Sequence, residues 1–189
     1  MKTMLKRTNT KDLIADSFYE LAKSKPVNKI SVREITENCQ ITTPMFYYYY
    51  KDKDDLIFQR FGSELEEALD KVKKPYYLDD ILEVYRKVLK NDLAYYTNIL
   101  RNSHGTNSLL YTARSAAISQ CEKLIMERFN METLSDELKF MIDFYITGVT
   151  AKTHHLMIVD PKNIRNLVQC LLKCLPEPLA PYLLRPTEK

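Results

Sequence analysis

Apolar residues in this chain recur at intervals of three and four, the period of a helix that buries one face. Behind Thr8 or Thr10 as a cap, Ile14, Phe18 and Leu21 mark a first helix that stops near Ser24, ahead of Pro26. Ile30 then precedes Ser31-Val-Arg-Glu34, a capping box with Ile30 as its hydrophobic staple, so a short second helix is expected from about Val32 to Asn38. Cys39-Gln40-Ile41 makes a tight turn, and Thr42 or Thr43 caps a third helix with Pro44 in its first turn, where the missing N–H is harmless. Two short helices joined by such a turn describe a helix-turn-helix. Asp52 to Asp55 open a fourth helix that carries Leu56, Phe61, Leu65 and Leu69 on or near one face, as far as about Lys73 before Pro75.

From Tyr76 to Leu175 the pattern predicts four or five more helices and no strand alternation, giving an all-α fold. The first opens at Asp79 or Asp80 and keeps Ile81, Tyr85, Val88, Asp92, Tyr96 and Ile99 on one face until Gly105 breaks it. A second runs from about Asn107 to Phe129, a third from Ser135-Asp-Glu-Leu138 to about Val159, and a fourth from Asp160-Pro161 to Leu175. A proline-containing tail follows, expected to be loosely ordered.

Composition narrows the chemistry. The 189 residues include only three glycines, little material for hairpins or phosphate loops, and only three histidines. No Gly-rich phosphate motif, metal-spaced His/Cys cluster or nucleophile elbow is present, so no cofactor, no metal and no enzymatic activity are expected. No apolar run approaches the roughly 20 residues of a membrane span, and the first residues lack a signal peptide's apolar segment, which makes the cytoplasm the expected compartment and a membrane partner unexpected. The four cysteines are scattered and are read as reduced and mostly packed, although Cys170 and Cys174 share a helix face and a thiol pair or metal site with His154 or His155 is conceivable. The net charge is +3. Its distribution is uneven: residues 1–33 hold eight Lys/Arg against three Asp/Glu, the rest 20 against 22. A basic N-terminal end on a near-neutral body suits a protein that grips phosphates with one part, and suits a solvated terminus equally.

Five consecutive aromatics, Phe46 to Tyr50, point in every direction round a helical turn, so they cannot all be buried. The stretch from Ile35 to Leu56, with its turn at 39–41, Thr42, the aromatic run, Lys53 and Leu56, resembles the N-terminal signature of the TetR family of bacterial transcriptional regulators. It matches over about 22 residues without a gap, and the first helix and the Ile30-Ser-Val start match as well.

That resemblance implies a helix-turn-helix DNA-binding domain over residues 1–53, a helical regulatory and dimerisation domain over 54–175, and a tail over 176–189. It implies a ligand-responsive regulator, in the first instance a repressor, that binds a palindromic operator in double-stranded DNA as a homodimer. Thr42 falls in the family's Ser slot, capping the recognition helix toward a phosphate. Thr43, Pro44 and Met45 fall where base edges are reached; Arg33, at the start of the second helix, can read a base or hold a phosphate, and Ser31 beside it is counted among the DNA-binding residues. Tyr47, Tyr48, Tyr49 and Lys53 are assigned to backbone phosphates, Phe46 and Tyr50 to the core. Gln40 replaces the turn glycine, at about 1–2 kcal/mol if that backbone is left-handed. Pro44 replaces a common glycine and Tyr49 a frequent His; Thr, Pro and Met favour apolar contact with thymine methyls, leaving specificity to Arg33 and DNA shape.

TetR-like bodies usually hold a pocket for a small-molecule effector, unidentified here. Its candidates are the polar residues set among apolar faces: Tyr85, Asp92, Tyr96, His104, Tyr111, Arg114 and Tyr145. Residues 91–108 are similar to the subgroup named for the activator of dihydroxyacetone kinase operons. The last two helices would be the family's dimerisation pair, through Phe140, Phe144, Gly148 and Ala151 on one and Ile164, Leu167, Val168, Leu171 and Leu175 on the other. A helical dimeric interaction module without specific DNA binding, and a small helical enzyme, are the competing readings.

Overall fold

A computed structural model describes residues 9–161 and 166–186. Regular structure among them is helical throughout: α1 (Thr10–Ser24), α2 (Val32–Asn38), α3 (Thr43–Tyr49), α4 (Lys53–Leu69), α5 (Leu78–Asn91), α6 (Leu93–Asn102), α7 (Leu109–Phe129), α8 (Asp136–Val159), α9 (Leu167–Lys173) and α10 (Ala180–Leu183). The all-α expectation is met.

Each helix of the N-terminal part begins where a short polar side chain takes an orphan amide. Asn9 caps α1 by accepting from the Asp12 N–H, in place of the expected Thr8 or Thr10. Ser31 and Glu34 form the reciprocal box that opens α2. Thr42 caps α3 with Pro44 in its first turn, and Asp52 caps α4. Ile14, Phe18, Ile35, Phe46 and Leu56 are fully buried and hold these four helices together.

The α2–α3 turn is a Schellman closure: the Gln40 N–H donates to the Glu37 carbonyl and the Ile41 N–H to that of Thr36. Gln40 occupies its left-handed position at φ 56°. A Cβ there is strained, and glycine would relieve it at the expense of a freer unfolded chain. Gln40→Gly is therefore expected to stabilise the fold by about 0.5–1 kcal/mol, read from the urea midpoint.

The body departs from the sequence pattern in three places. The face counted from Ile81 to Ile99 is split at Asp92, whose backbone leaves the helix (φ −136°, ψ 64°) and whose carboxylate caps α6 by accepting from the Tyr95 N–H. An Asn91-Asp92 pair competes with the helical backbone, and here the cap prevails. α4 stops at Leu69 rather than Lys73, where its apolar face runs out into Asp70, Lys71, Lys73 and Lys74, all exposed. The tail beyond Pro176 is packed, not loose: Leu179 and Leu183 are buried, the Arg128 Nη1 donates to the Tyr182 carbonyl at 3.0 Å, and Arg185 grips Asp80 at 2.5 Å.

Where α1, α4, α5 and α6 meet, Phe18, Tyr19, Phe61, Tyr85, Tyr95 and Tyr96 stack edge to face with ring centroids 5.1–6.3 Å apart. Arg60 lies over the Tyr19 ring at 4.4 Å and ion-pairs with Glu64, which accepts the Tyr96 hydroxyl at 2.6 Å. The helix-turn-helix thus shares one continuous core with the body.

Candidate functional site

α3 has seven residues and buries one large side chain fully, Phe46. Tyr50, just past its end, is also buried and donates to the Lys11 carbonyl, and burial pushes its phenol up to about 12. The remaining aromatics point away: Tyr47 is 55% exposed, Tyr48 79%. Thr43, Pro44 and Met45 are exposed in the first turn, with Tyr47 and Tyr48 four residues beyond Thr43 and Pro44 on the same helix faces. Tyr49 is half-buried, its ring edge-on to Tyr48 at 4.9 Å. Arg33 stands exposed on α2 with its Nε on Glu37 at 2.7 Å, a pairing that holds its charge more firmly and that an incoming phosphate would have to replace.

Two assigned residues are placed otherwise. The Ser31 hydroxyl donates to the Glu34 carboxylate at 3.0 Å and accepts the Glu34 N–H at 3.2 Å, so both its roles are internal to α2. Lys53 turns its ammonium inward, onto the Val27 carbonyl at 2.8 Å and that of Ile30 at 2.6 Å, and burial lowers its pKa. The Val27 carbonyl also accepts the Ile30 N–H at 3.2 Å, closing the 3₁₀ turn Val27–Lys29 that Ile30 caps, so the ammonium sits against the two ends of that turn. Lys51, exposed directly after the aromatic run, is the cation of this region that the motif passed over.

The face is braced from behind by contacts that no local pattern announces. Glu34 accepts from Lys25 and from Ser31, which together hold its carboxyl down at about 2. From α6, Asn98 reaches across: its amide NH₂ donates to the carbonyls of Ala22 at 2.7 Å and Lys25 at 2.8 Å, while its carbonyl accepts the Val27 N–H at 3.2 Å. The Ser103 hydroxyl, just past α6, donates to Asp54 in the first turn of α4 at 2.7 Å. The body therefore holds α1 by its end and α4 by its beginning.

The effector candidates divide. His104, Tyr111 and Arg114 line one cavity of about 220 Å³ together with Ile99, Leu100, Ser103, Gly105, Ser108 and His154. Tyr85 lines a much smaller apolar cavity beyond it, which shares Leu100, Leu109, Leu110 and His154 with the first. The other three are structural. Tyr96 is buried in the aromatic cluster, with its phenol bonded to Glu64 and its pKa raised by burial. Asp92 is a helix cap. Tyr145 is buried and donates to the Leu171 carbonyl at 2.8 Å.

The proposed dimer residues divide too. Phe140 and Phe144 are 70% and 71% exposed and stack on each other at 6.3 Å; Gly148 and Ala151 are exposed further along the same helix. Leu167 and Leu171, by contrast, are buried within the chain, since α9 packs on α5 and Tyr145 clasps the Leu171 carbonyl. Val168 and Leu175 are half-buried, and Ile164 lies outside the described residues. Cys170 on α9 and Cys174 at its C-terminal cap are exposed, against the expectation of packed thiols, whereas Cys121 is buried and Cys39 half-buried. Among the described residues no group of three or more His, Cys, Asp or Glu is gathered for a metal ion. No helix among them is long and apolar enough to cross a membrane.

The short, Thr42-capped α3 with its exposed aromatics lies, with α2, inside the segment whose family match supports a DNA-binding transcriptional regulator. Residues 14–59 match the family described as bacterial regulatory proteins, tetR family. No curated protein matches it in sequence. Among solved structures it is similar to one named dihydroxyacetone kinase operon activator DhaS, with a TM-score of 0.60 and 18% identity over 93% of this chain and 99% of the other. At that identity the likeness is one of fold.

Proposed function

We propose that the protein is a ligand-responsive regulator that acts in the cytoplasm, binds a palindromic operator as a homodimer and represses transcription. The observation that carries this reading is the exposed α3 face, where Tyr47 and Tyr48 turn phenol rings to solvent beside a capped helix start. Large apolar surface is left out of a core chiefly where something else covers it. A phosphate beside these hydroxyls and the first α3 amides, with thymine methyls against Met45 and Pro44, uses each group for what it does best. The α8 face of Phe140, Phe144, Gly148 and Ala151 supplies the two-fold partner, which relates two recognition helices to two half-sites. Ligand response runs through Ser103: it lines the cavity and bonds Asp54, so a shift of the 103–108 loop moves the start of α4.

Fluorescence anisotropy with a labelled palindrome from upstream of the gene tests the reading. Specific DNA is expected to bind far more tightly than scrambled DNA, and Tyr47→Phe to weaken it about ten- to a hundredfold, the worth of one hydrogen bond to a charged group. The melting temperature should stay unchanged, because the Tyr47 hydroxyl is exposed. A Tyr47→Phe protein that binds as tightly as the wild type removes that residue from the interface.

Activation is a second reading, and it rests on the structural neighbour being named an operon activator. An in vitro transcription assay on the bound promoter decides between them by the sign of the effect.

A further inference from the structure

The cavity at the α6–α7 junction has an uneven chemistry. Three of its lining residues can carry positive charge, Arg114, His104 and His154, and no lining residue is a carboxylate. Arg114 lies over the Tyr111 ring at 4.8 Å and makes no ion pair among the described residues. His154 Nε2 lies 3.1 Å from the Leu100 carbonyl, which fixes that nitrogen as a donor and leaves Nδ1 for another partner. The Ser108 hydroxyl donates to the Gly105 carbonyl at 2.7 Å, so it does not cap α7, and that helix brings the positive end of its dipole to the same wall. Asp54 touches this lining only by accepting the Ser103 hydroxyl. Opposite the polar groups stand Ile99, Leu100, Leu109 and Leu110. At about 220 Å³ the space lies below the roughly 300 Å³ at which pockets for drug-sized ligands begin.

We infer that this cavity binds a small organic anion, a carboxylate or phosphate ester on a body of a few carbons, with its charge against Arg114 and His104 and its carbons along Leu100, Leu109 and Leu110. The inference rests on the ligand-responsive reading above and gives that ligand its chemical class. A planar guanidinium stacked on a phenol is pre-organised for a two-oxygen anion, and a cationic wall disfavours a cationic ligand in the same space.

Isothermal titration of the full-length protein with butyrate, butyl phosphate and butyramide tests it, since the three share a short apolar body and differ in the head. At least one anion is expected to bind at least about tenfold more tightly than the amide. Arg114→Gln should remove that preference and Arg114→Lys retain part of it. Proton NMR of the histidine rings, of which the chain has three, should show the His104 and His154 signals moving with the anion and that of His155 staying in place. The tighter anion tells carboxylate from phosphate. Amide binding equal to both anions, or His104 and His154 signals that neither anion moves, overturns the inference. Anisotropy run alongside separates it from the wider reading: anion binding that leaves DNA affinity unaltered supports the site and removes the ligand response, whereas operator binding with no anion bound leaves the regulator and removes the anion site.

Discussion

Replacing Phe140 and Phe144 together by serine is expected to raise the dimer dissociation constant about a thousandfold and to weaken operator binding with it. Each ring is about 70% exposed within the chain, so its removal takes almost nothing from the folded protomer: circular dichroism should be unchanged, and the melting temperature should fall only by what dimerisation contributes. At an interface the same rings are central aromatic anchors, each worth about 2 kcal/mol on truncation, and the two together about 4 kcal/mol. Gly148 has nothing within 4 Å of the place a Cβ would take, and Val159, further along α8, is 66% exposed, so the face stays open along the helix, with the exposed His155 between Ala151 and Val159. Sedimentation velocity over a concentration series measures the effect. A double variant that dimerises like the wild type places the interface elsewhere.

The second large effect is expected at Asn98. Its side chain uses both amide hydrogens and its carbonyl on the segment from Ala22 to Val27, and the Asn102 amide adds a fourth bond at 2.9 Å. Asn98→Ala leaves two carbonyls and an N–H without partners in a half-buried seam, a loss of about 2–4 kcal/mol in urea denaturation. Asn98→Asp keeps the acceptor for Val27 but sets a negative charge against the Ala22 and Lys25 carbonyls, and it should fare no better than alanine. A loss below about 0.5 kcal/mol for both would mean that water replaces the clamp fully. Because the clamp joins α6 to the end of α1, its loss should also blunt any effect of the cavity on DNA affinity.

What the sequence discloses about this molecule is what neighbouring residues decide among themselves. The Ser31–Glu34 box, the Thr42 cap with Pro44, and the start of α4 at Asp52 are each settled within four residues, and all stand as read. The sorting of the aromatic run also holds in its burial, with Phe46 and Tyr50 inside and Tyr47 and Tyr48 outside, because helical period alone divides them. The pattern cannot tell which neighbour covers a face. Leu167 and Leu171 have the same spacing whether they meet a second chain or, as here, α5 and Tyr145 of their own. The family slot of Lys53 suggests a phosphate, but the carbonyls of Val27 and Ile30 lie over 20 positions away and become its partners only on folding. Asn98, more than 70 residues from the carbonyls it holds, carries no local signature at all. In the cavity, three of the seven proposed polar residues converge because the α6–α7 loop is short; the others had equally good spacing and different neighbours.

If α3 is a DNA-reading helix that contacts phosphates along the backbone, the salt dependence of operator binding shows it most directly. A protein that displaces several counterions per site loses affinity steeply as salt rises, with a slope in log K against log salt of about 0.9 per phosphate neutralised. Anisotropy titrations with the palindrome from 50 to 200 mM salt, on the order of the range over which such losses are large, should give a straight, steep line. The Lys51→Ala protein should give a shallower one, by about 1 for each subunit that loses a phosphate contact. A flat line, with palindrome and scrambled DNA bound equally at every salt, would contradict the role of α3 as a reader of DNA.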